Sequence, residues 1–474
     1  NNVYRFKEDV PPKSLPGPWG FPFVGSAFHL GLHKDKTLYE WTELYGPVYA
    51  LNLGTRPAVA LHGYSAIHEA LVDKASSCSG RICAPIIDAM VNQQGLFFVD
   101  HDEHWKKWRE IAHSGLSNSW KIVSATQSGI LTESERLKNY LSEADGKPIN
   151  IEETLQITMA NAVFQTCLSR RFDLDDTEAA NFLVDLYATN RDPKFGKILF
   201  LTFLRFLPSY KSYLIEGDTR RKKVRKVLRG FIEERLEDDD QSRDLVSLFF
   251  KGKTSGPTPS LENKTLVAGL IQDMLFAGSI TTSSQLLWVI LFVLKNPACM
   301  HKMQNELDAV LGDCENPTKS AISDKYDELN YTRAVVQEAM RLRCIAPTSM
   351  FHKATEDTTI AGYFVAKDTV IMPNLYSVHH DPITWAPDPE SFRPERHLDS
   401  DGSFVNSDHV IPFSVGWRRC VGEKIARTEI FAHLVTIFKH FEVALHPDDV
   451  GVDMEGVPGP ILRPVSYRTQ FTSR

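Results

Sequence analysis

Phe413-Ser-Val-Gly416-Trp-Arg418-Arg-Cys420-Val-Gly422 is the stretch from which the rest of the chain is read. It is a glycine-bent loop followed by residues that are apolar at helical spacing (Ile425, Ile430, Leu434, Ile437, Phe438), which predicts a helix from Cys420 to about His440. A cysteine at a helix start meets the positive end of the dipole and unpaired backbone N–H groups, and both favour thiolate. Gly416 and Gly422 admit close backbone approach to a flat partner. Arg418 supplies a cation that pairs with a carboxylate. Thiolate, close backbone and cation together suit the proximal side of a heme iron. Taken alone, the cysteine reads better as a buried core thiol beside a turn; the ten-residue arrangement does not.

The ten residues resemble the heme-binding signature of the cytochrome P-450 (heme-thiolate) family, F-x-x-G-x-R-x-C-x-G, with no gap. The resemblance extends over essentially the whole chain and implies a fold that is mainly α with small β-sheets. It implies heme b (iron protoporphyrin IX) as cofactor, with Cys420 as the iron ligand and Phe413 and Arg418 beside it. In microsomal members a proline-rich hinge follows a membrane anchor, and Pro11–Gly25 has that composition. The expected division is therefore an arm over 1–25, after an anchor absent from this chain, and one catalytic domain over 26–474.

Composition bounds the function from outside. Of 474 residues, 42% are apolar, which makes the chain globular, and the net charge of −7 argues against a nucleic-acid partner. Seven scattered cysteines with no CxxC pair indicate a reducing compartment. No run of about 18 apolar residues is evident, so no bilayer span is expected. Alternation over 45–70 around Gly54–Pro57 predicts strands, and 351–373 a second strand-rich patch turning at Gly362-Tyr363. Helices are expected over 150–168, 218–238 and 264–295, with a surface loop over Lys251–Lys264.

Several further motifs stand in family order. Glu338 and Arg341 match E-x-x-R, and Arg396 in Phe392-Arg-Pro-Glu-Arg396 supplies the third member of a structural trio. By spacing alone the first two are a helical i, i+3 pair of little energetic weight. Trp105 and Arg109 lie one helical turn apart and match W-x-x-x-R, which implies contact with a heme propionate; Arg81 and His352 hold positions of further propionate partners. Phe276-Ala277-Gly278-Ser279-Ile280-Thr281-Thr282 matches the distal pattern A-G-x-(D/E)-T, with Ala277, Gly278 and Thr281 retained. Ile280 replaces the acid and cannot titrate.

Two activities follow from the resemblance. The first is monooxygenation of a lipophilic substrate (steroid, fatty acid or xenobiotic) with dioxygen and electrons from an NADPH-dependent flavin reductase. The second is reductase-independent isomerisation or cleavage of a fatty-acid hydroperoxide, of epoxy alcohol or allene oxide synthase type, to which the missing acid points. A binding-only heme protein would ordinarily need a second protein ligand, and none is evident near Thr281. The lipophilic pocket is expected to draw on 82–96, 197–208, Ala277, Ile280 and 346–350. Lys106, Lys107, Arg343, Arg419 and Lys424 are expected to dock an acidic partner. The apolar stretch 197–208, with the basic run Arg220–Lys226 nearby, suggests contact with a membrane surface. The implied location is the cytosolic face of the endoplasmic reticulum.

Overall fold

The computed structural model describes residues 14–26, 29–82, 87, 95–113, 120–191, 207–237, 244–251 and 260–474. Most of the expected pocket wall over 82–96, most of the apolar stretch 197–208, most of the loop Lys251–Lys264 and the first residues of the arm lie outside them.

The described helices of eleven or more residues are α1 (Glu103–His113), α2 (Trp120–Glu143), α3 (Glu152–Leu168), α4 (Thr177–Arg191), α5 (Pro208–Glu237), α6 (Leu261–Lys295), α7 (Pro297–Leu311), α8 (Asn330–Leu342) and α9 (Glu423–His440). The expected helix at 218–238 starts ten residues earlier, at Pro208, because proline is well placed in a first turn, where no N–H is needed. Helix α6 opens on Ser260, whose Oγ accepts from the Asn263 N–H at 3.2 Å, and stops at Asn296 before Pro297. Thirty-five residues at 1.5 Å each give it a length of about 52 Å.

That length lets α6 serve two cores. Val267 to Ile280 pack with Trp105, Trp108, Phe164, Leu228 and Ile232. Leu286 to Val293 pack with Met303, Met340, Leu434 and Phe438. Thr281-Thr-Ser-Ser-Gln285 lies between the two apolar segments, so the polar stretch of the helix marks the seam. By length and composition α6 is apolar enough to cross a membrane, contrary to the reading of the sequence, but 78% of its most apolar window is buried inside the protein. It is a core helix.

The main sheet runs in the order β1-β2-β7-β4-β3. Strands β1 (Val48–Leu53) and β2 (Arg56–His62) form an antiparallel hairpin that turns on Gly54-Thr55 alone, so Arg56 and Pro57, expected in the turn, belong to the strand. β2 pairs in parallel with β7 (Val370–Asn374), which pairs antiparallel with β4 (His352–Lys353). β3 (Gly80–Arg81) then adds to β4 in the register Arg81↔His352. Two hairpins stand apart: β5 (Thr358–Ile360) with β6 (Tyr363–Val365), and β8 (Phe441–Leu445) with β9 (Thr469–Ser473). The first turns on Ala361-Gly362, both at positive φ (51° and 79°), one residue earlier than expected. The Pro16 carbonyl accepts from the Ala50 N–H at 2.7 Å, which ties the proline-rich arm to β1.

Candidate heme site

Cys420 closes a tight loop. Its N–H donates to the Phe413 carbonyl at 3.0 Å, and the Arg419 N–H donates to Gly416 at 3.0 Å. Gly416 has φ +78°, and a Cβ there would lie 1.8 Å from the Leu71 carbonyl oxygen, so no other residue fits. At Gly422 a Cβ would meet no protein atom. Helix α9 begins at Glu423 with Gly422 as N-cap, three residues later than expected, because Val421 and Gly422 are still turning.

The expectation that the helix start makes Cys420 a thiolate needs correcting. Burial pushes the thiol up, and Glu423 adds to this; the Gly422 N–H bond to sulfur and the charges of Arg109 and Arg419 pull the other way without prevailing. Yet Cys420 is exposed, whereas Cys78, Cys167, Cys299 and Cys344 are buried. A group both accessible and closely surrounded by protein lies on an internal surface. A metal cation bound to such a sulfur would deprotonate it outright.

Around that surface the fold gathers cations. The register of β3 and β4 sets Arg81 opposite His352. Arg81 is held by the carbonyls of Phe97 at 3.0 Å and Phe351 at 2.9 Å. Arg418 donates to Ser79 at 3.0 Å and Val99 at 2.8 Å and lies 4.0 Å over the Trp105 ring. Arg109 lies 5.4 Å over the same ring and donates to the Arg419 carbonyl at 2.6 Å. Burial and the charge of Arg81, with a smaller push from Arg109, drive the Arg418 guanidinium down to about 8, while Asp100 and Asp102 oppose the shift. Burial and Arg109 take Arg81 to about 10. His352 donates Nδ1–H to the Cys78 carbonyl at 2.9 Å and is kept neutral by burial and the same cations.

Arg418 Nη1 is buried and has no partner among the described residues. An orphaned guanidinium N–H among crowded like charges calls for an anion. The residues therefore fit a heme: iron at the Cys420 sulfur and two propionate carboxylates among Arg81, Arg109, His352 and Arg418. Trp105 differs from its expected role in one respect, since its Nε1–H donates to the Leu96 carbonyl at 3.1 Å.

On α6 every residue from Val267 to Val293 is buried except Gln272, Phe276, Ala277, Gly278 and Thr281. The sequence motif thus supplies most of the accessible part of an otherwise submerged helix. The Thr281 hydroxyl donates to the Ala277 carbonyl one turn back. Gly278 allows α3 to pack closely, because a Cβ there would come within 2.6 Å of Val163. Ile280 is fully buried in the apolar cluster with Trp105 and Phe164, so it does not line a pocket as expected.

Glu338, Arg341 and Arg396 do form one buried hub. Glu338 also accepts from the Arg393 N–H at 3.1 Å and from His397 Nε2 at 2.9 Å. Although burial alone would raise it, the bonds from Arg341 and His397 hold its carboxyl down at about 2. His397 was missed from the sequence, although its position next to Arg396 was a usable signal. Asp273 was missed too. It accepts from the N–H groups of Leu96 at 2.7 Å and Phe97 at 3.1 Å, fixing the segment that leads to α1. Burial lifts it to about 6 against those two bonds.

The expected docking charges divide. Lys106 is paired with Glu103 and Arg419 with Glu423, each at 2.6 Å. Arg343 turns inward and donates to the Met454 carbonyl at 2.7 Å. Lys107 and Lys424 are exposed and carry no ion pair among the described residues.

Comparison with known proteins agrees with this geometry. The family model described as Cytochrome P450 matches residues 15–471. Cytochrome P450 2C13, male-specific, of Rattus norvegicus is 31% identical over 92% of this chain and 90% of its own. Cytochrome P450 2C40 of Mus musculus is 31% identical over 93% and 89%, and cytochrome P450 2E1 of Mesocricetus auratus 30% over 93% and 90%.

Proposed function

The chain belongs to the cytochrome P450 family, which makes it a heme-dependent oxidoreductase, and on that premise we propose that it is a monooxygenase of lipophilic compounds carrying heme b. The bound heme would supply dioxygen activation and the transfer of one oxygen atom to substrate. Cys420 would hold the iron, and Arg81, Arg109, His352 and Arg418 would hold the propionates. Asp273 fixes the segment before α1 and so the positions of Trp105 and Arg109. The observation that carries the reading is the accessible patch of α6, where a hydroxyl is retained at Thr281 beside the small residues Ala277 and Gly278. Thr281 Oγ, already donating to Ala277, keeps its lone pairs for a water that delivers protons. Ile280 contributes none.

Electrons would come from an NADPH-dependent flavin reductase. Trp19 (73% exposed), Phe23 (71%) and Leu44 (75%) are exposed apolar residues in the amino-terminal part, which supports contact with a membrane surface, in keeping with the endoplasmic reticulum. Steroids, fatty acids and xenobiotics all suit a lipophilic pocket.

The second reading, isomerisation of a fatty-acid hydroperoxide without reductant, keeps one specific support: the position of the distal acid holds an isoleucine sealed in the core. Such a substrate brings its own O–O bond and needs no proton relay.

Two measurements test the proposal. The reduced protein under carbon monoxide should show the red-shifted Soret band of a thiolate ligand, and Cys420→Ser should lose it; a histidine-type band would overturn the ligation. A paired assay then decides the chemistry. Product formation that requires both dioxygen and reductase supports monooxygenation. Rapid hydroperoxide consumption with neither would replace it by the isomerase.

A further inference from the structure

Ser279 is fully buried, whereas Ala277, Gly278 and Thr281 around it on α6 are accessible. Hydroxyl groups along this stretch bond back into the helix: Ser279 Oγ to the Leu275 carbonyl, Thr281 Oγ to that of Ala277, and Ser284 Oγ to that of Ile280 at 2.6 Å. Such bonds compete with backbone N–H groups for the same carbonyls and let a helix bend. What packs against α6 here therefore matters to its rotation.

Val163 of α3 comes close over Gly278, a contact that limits the approach of the two helices but has no preferred direction. Tyr187 of α4 supplies a directional one. It is fully buried, its hydroxyl donates to Ser279 Oγ, and its ring centroid lies 6.5 Å from that of Phe276 with planes at 55°. Hydrogen bonds weaken steeply when misaligned, so this one resists turning of the helix. Residues two apart on an α-helix are separated by about 200° around its axis. Holding Ser279 toward α4 therefore holds Ala277 and Thr281 on the opposite, accessible side.

Resting on the monooxygenase reading above, we propose that Tyr187 is a positioning residue for oxygen transfer: its bond to Ser279 fixes the rotation of α6 at the motif and keeps the Thr281 hydroxyl where a proton-carrying water meets it. The demand on Thr281 is greater in this chain than in one with a distal acid, because Ile280 has no proton to offer in place of a misdirected hydroxyl.

The test uses the heme-loaded enzyme with a purified NADPH-dependent di-flavin reductase and no organic substrate. Dioxygen then takes two electrons and two protons to give hydrogen peroxide, or four of each to give water, and only the second outcome needs a proton in place as the O–O bond breaks. Peroxide formed per NADPH oxidised reads the partition, and deuterium exchange of the amides over 276–285 reads the helix. Tyr187→Phe removes only the phenol hydroxyl and strands no donor, since Ser279 keeps its bond to Leu275. It should lower the share of water by about threefold or more and speed exchange by a similar factor, the effect of one lost hydrogen bond, with the thiolate Soret band retained. Ser279→Ala should do the same, and the double variant no more than either single one, because both act through one bond. Faster exchange with a parental partition would reduce Tyr187 to a packing contact and overturn the proposal, as would parental values of both. Peroxide as the sole product of the parent would overturn the proposal alone. A parent enzyme that takes no electrons from the reductase would overturn the monooxygenase reading and the proposal with it.

Discussion

Arg341 grips Glu338 through two hydrogen bonds of 2.8 Å, Nε to Oε2 and Nη2 to Oε1, with both side chains fully buried. Three residues apart on α8, they would exchange only a weak contact on a surface helix. Here Arg341 also donates to the carbonyls of His379 at 2.6 Å and Pro389 at 2.8 Å, and Arg396 binds the same carboxylate at 3.0 Å. The hub ties α8 to the segment that leads toward the cysteine loop, since the Ile411 N–H donates to His379 Nε2 at 2.9 Å.

Removing the carboxylate strands two buried guanidiniums. Glu338→Ala is expected to cost about 3–5 kcal/mol, the usual result of breaking a buried ion pair from one side. Denaturant unfolding of the purified variant measures it; a loss below about 1 kcal/mol would show that the hub adds little. Arg341→Lys should not rescue, because an ammonium cannot make the paired bonds.

Stability should fall with acid in two stages. Burial holds His62 and His379 at about 3 and His433 at about 4, well below an ordinary histidine at 6.5. A neutral buried imidazole favours the fold above pH 6.5, and that advantage declines as pH drops from 6.5 toward the folded values. Glu338, held at about 2 against 4.5 when free, contributes fully above 4.5 and loses its contribution between 4.5 and 2. Unfolding free energies across this range should therefore slope downward from near neutrality, and a flat profile from pH 6.5 to 4.5 would contradict the histidine part.

Ile280→Glu restores the residue type of the distal motif but not its surroundings. The new carboxyl would enter the apolar cluster that holds Trp105 and Phe164. We expect a lower melting temperature, a neutral carboxyl and no better coupling of reductant to product. Improved coupling at unchanged stability would show that the side chain reaches water.

Arg418→Gln should leave the hub untouched and weaken cofactor retention, since Arg418 Nη1 is buried and finds no partner among the described residues. Transfer of heme to excess apomyoglobin gives the readout, expected to be about tenfold faster or more if a charge-assisted bond is lost. An unchanged rate would remove Arg418 from the propionate set.

Gly416→Ala should yield little folded holoenzyme, because the methyl group has no room beside Leu71 and the backbone lies at φ +78°. Soret absorbance per total protein measures it, and a normal yield would mean that the loop can shift.

The sequence by itself determined the features carried by short spacing. The cysteine loop, the Glu338–Arg341 pair, the Trp105–Arg109 turn and the Ala277–Thr281 motif each lie within a few residues, where covalent geometry leaves few arrangements. What the tertiary structure decided depended on burial and on partners far along the chain. Arg81 meets His352 only through strand register, and Asp273 finds its donors at Leu96 and Phe97 through the packing of α6. The same holds for Ile280, Trp417 and Cys420. Packing seals Ile280 in the core, the anchored loop leaves Trp417 in the open, and surrounding protein raises the Cys420 thiol that the helix start alone would have lowered. Desolvation depends on everything packed within several ångströms of a group, and a motif specifies only its own neighbours in the chain.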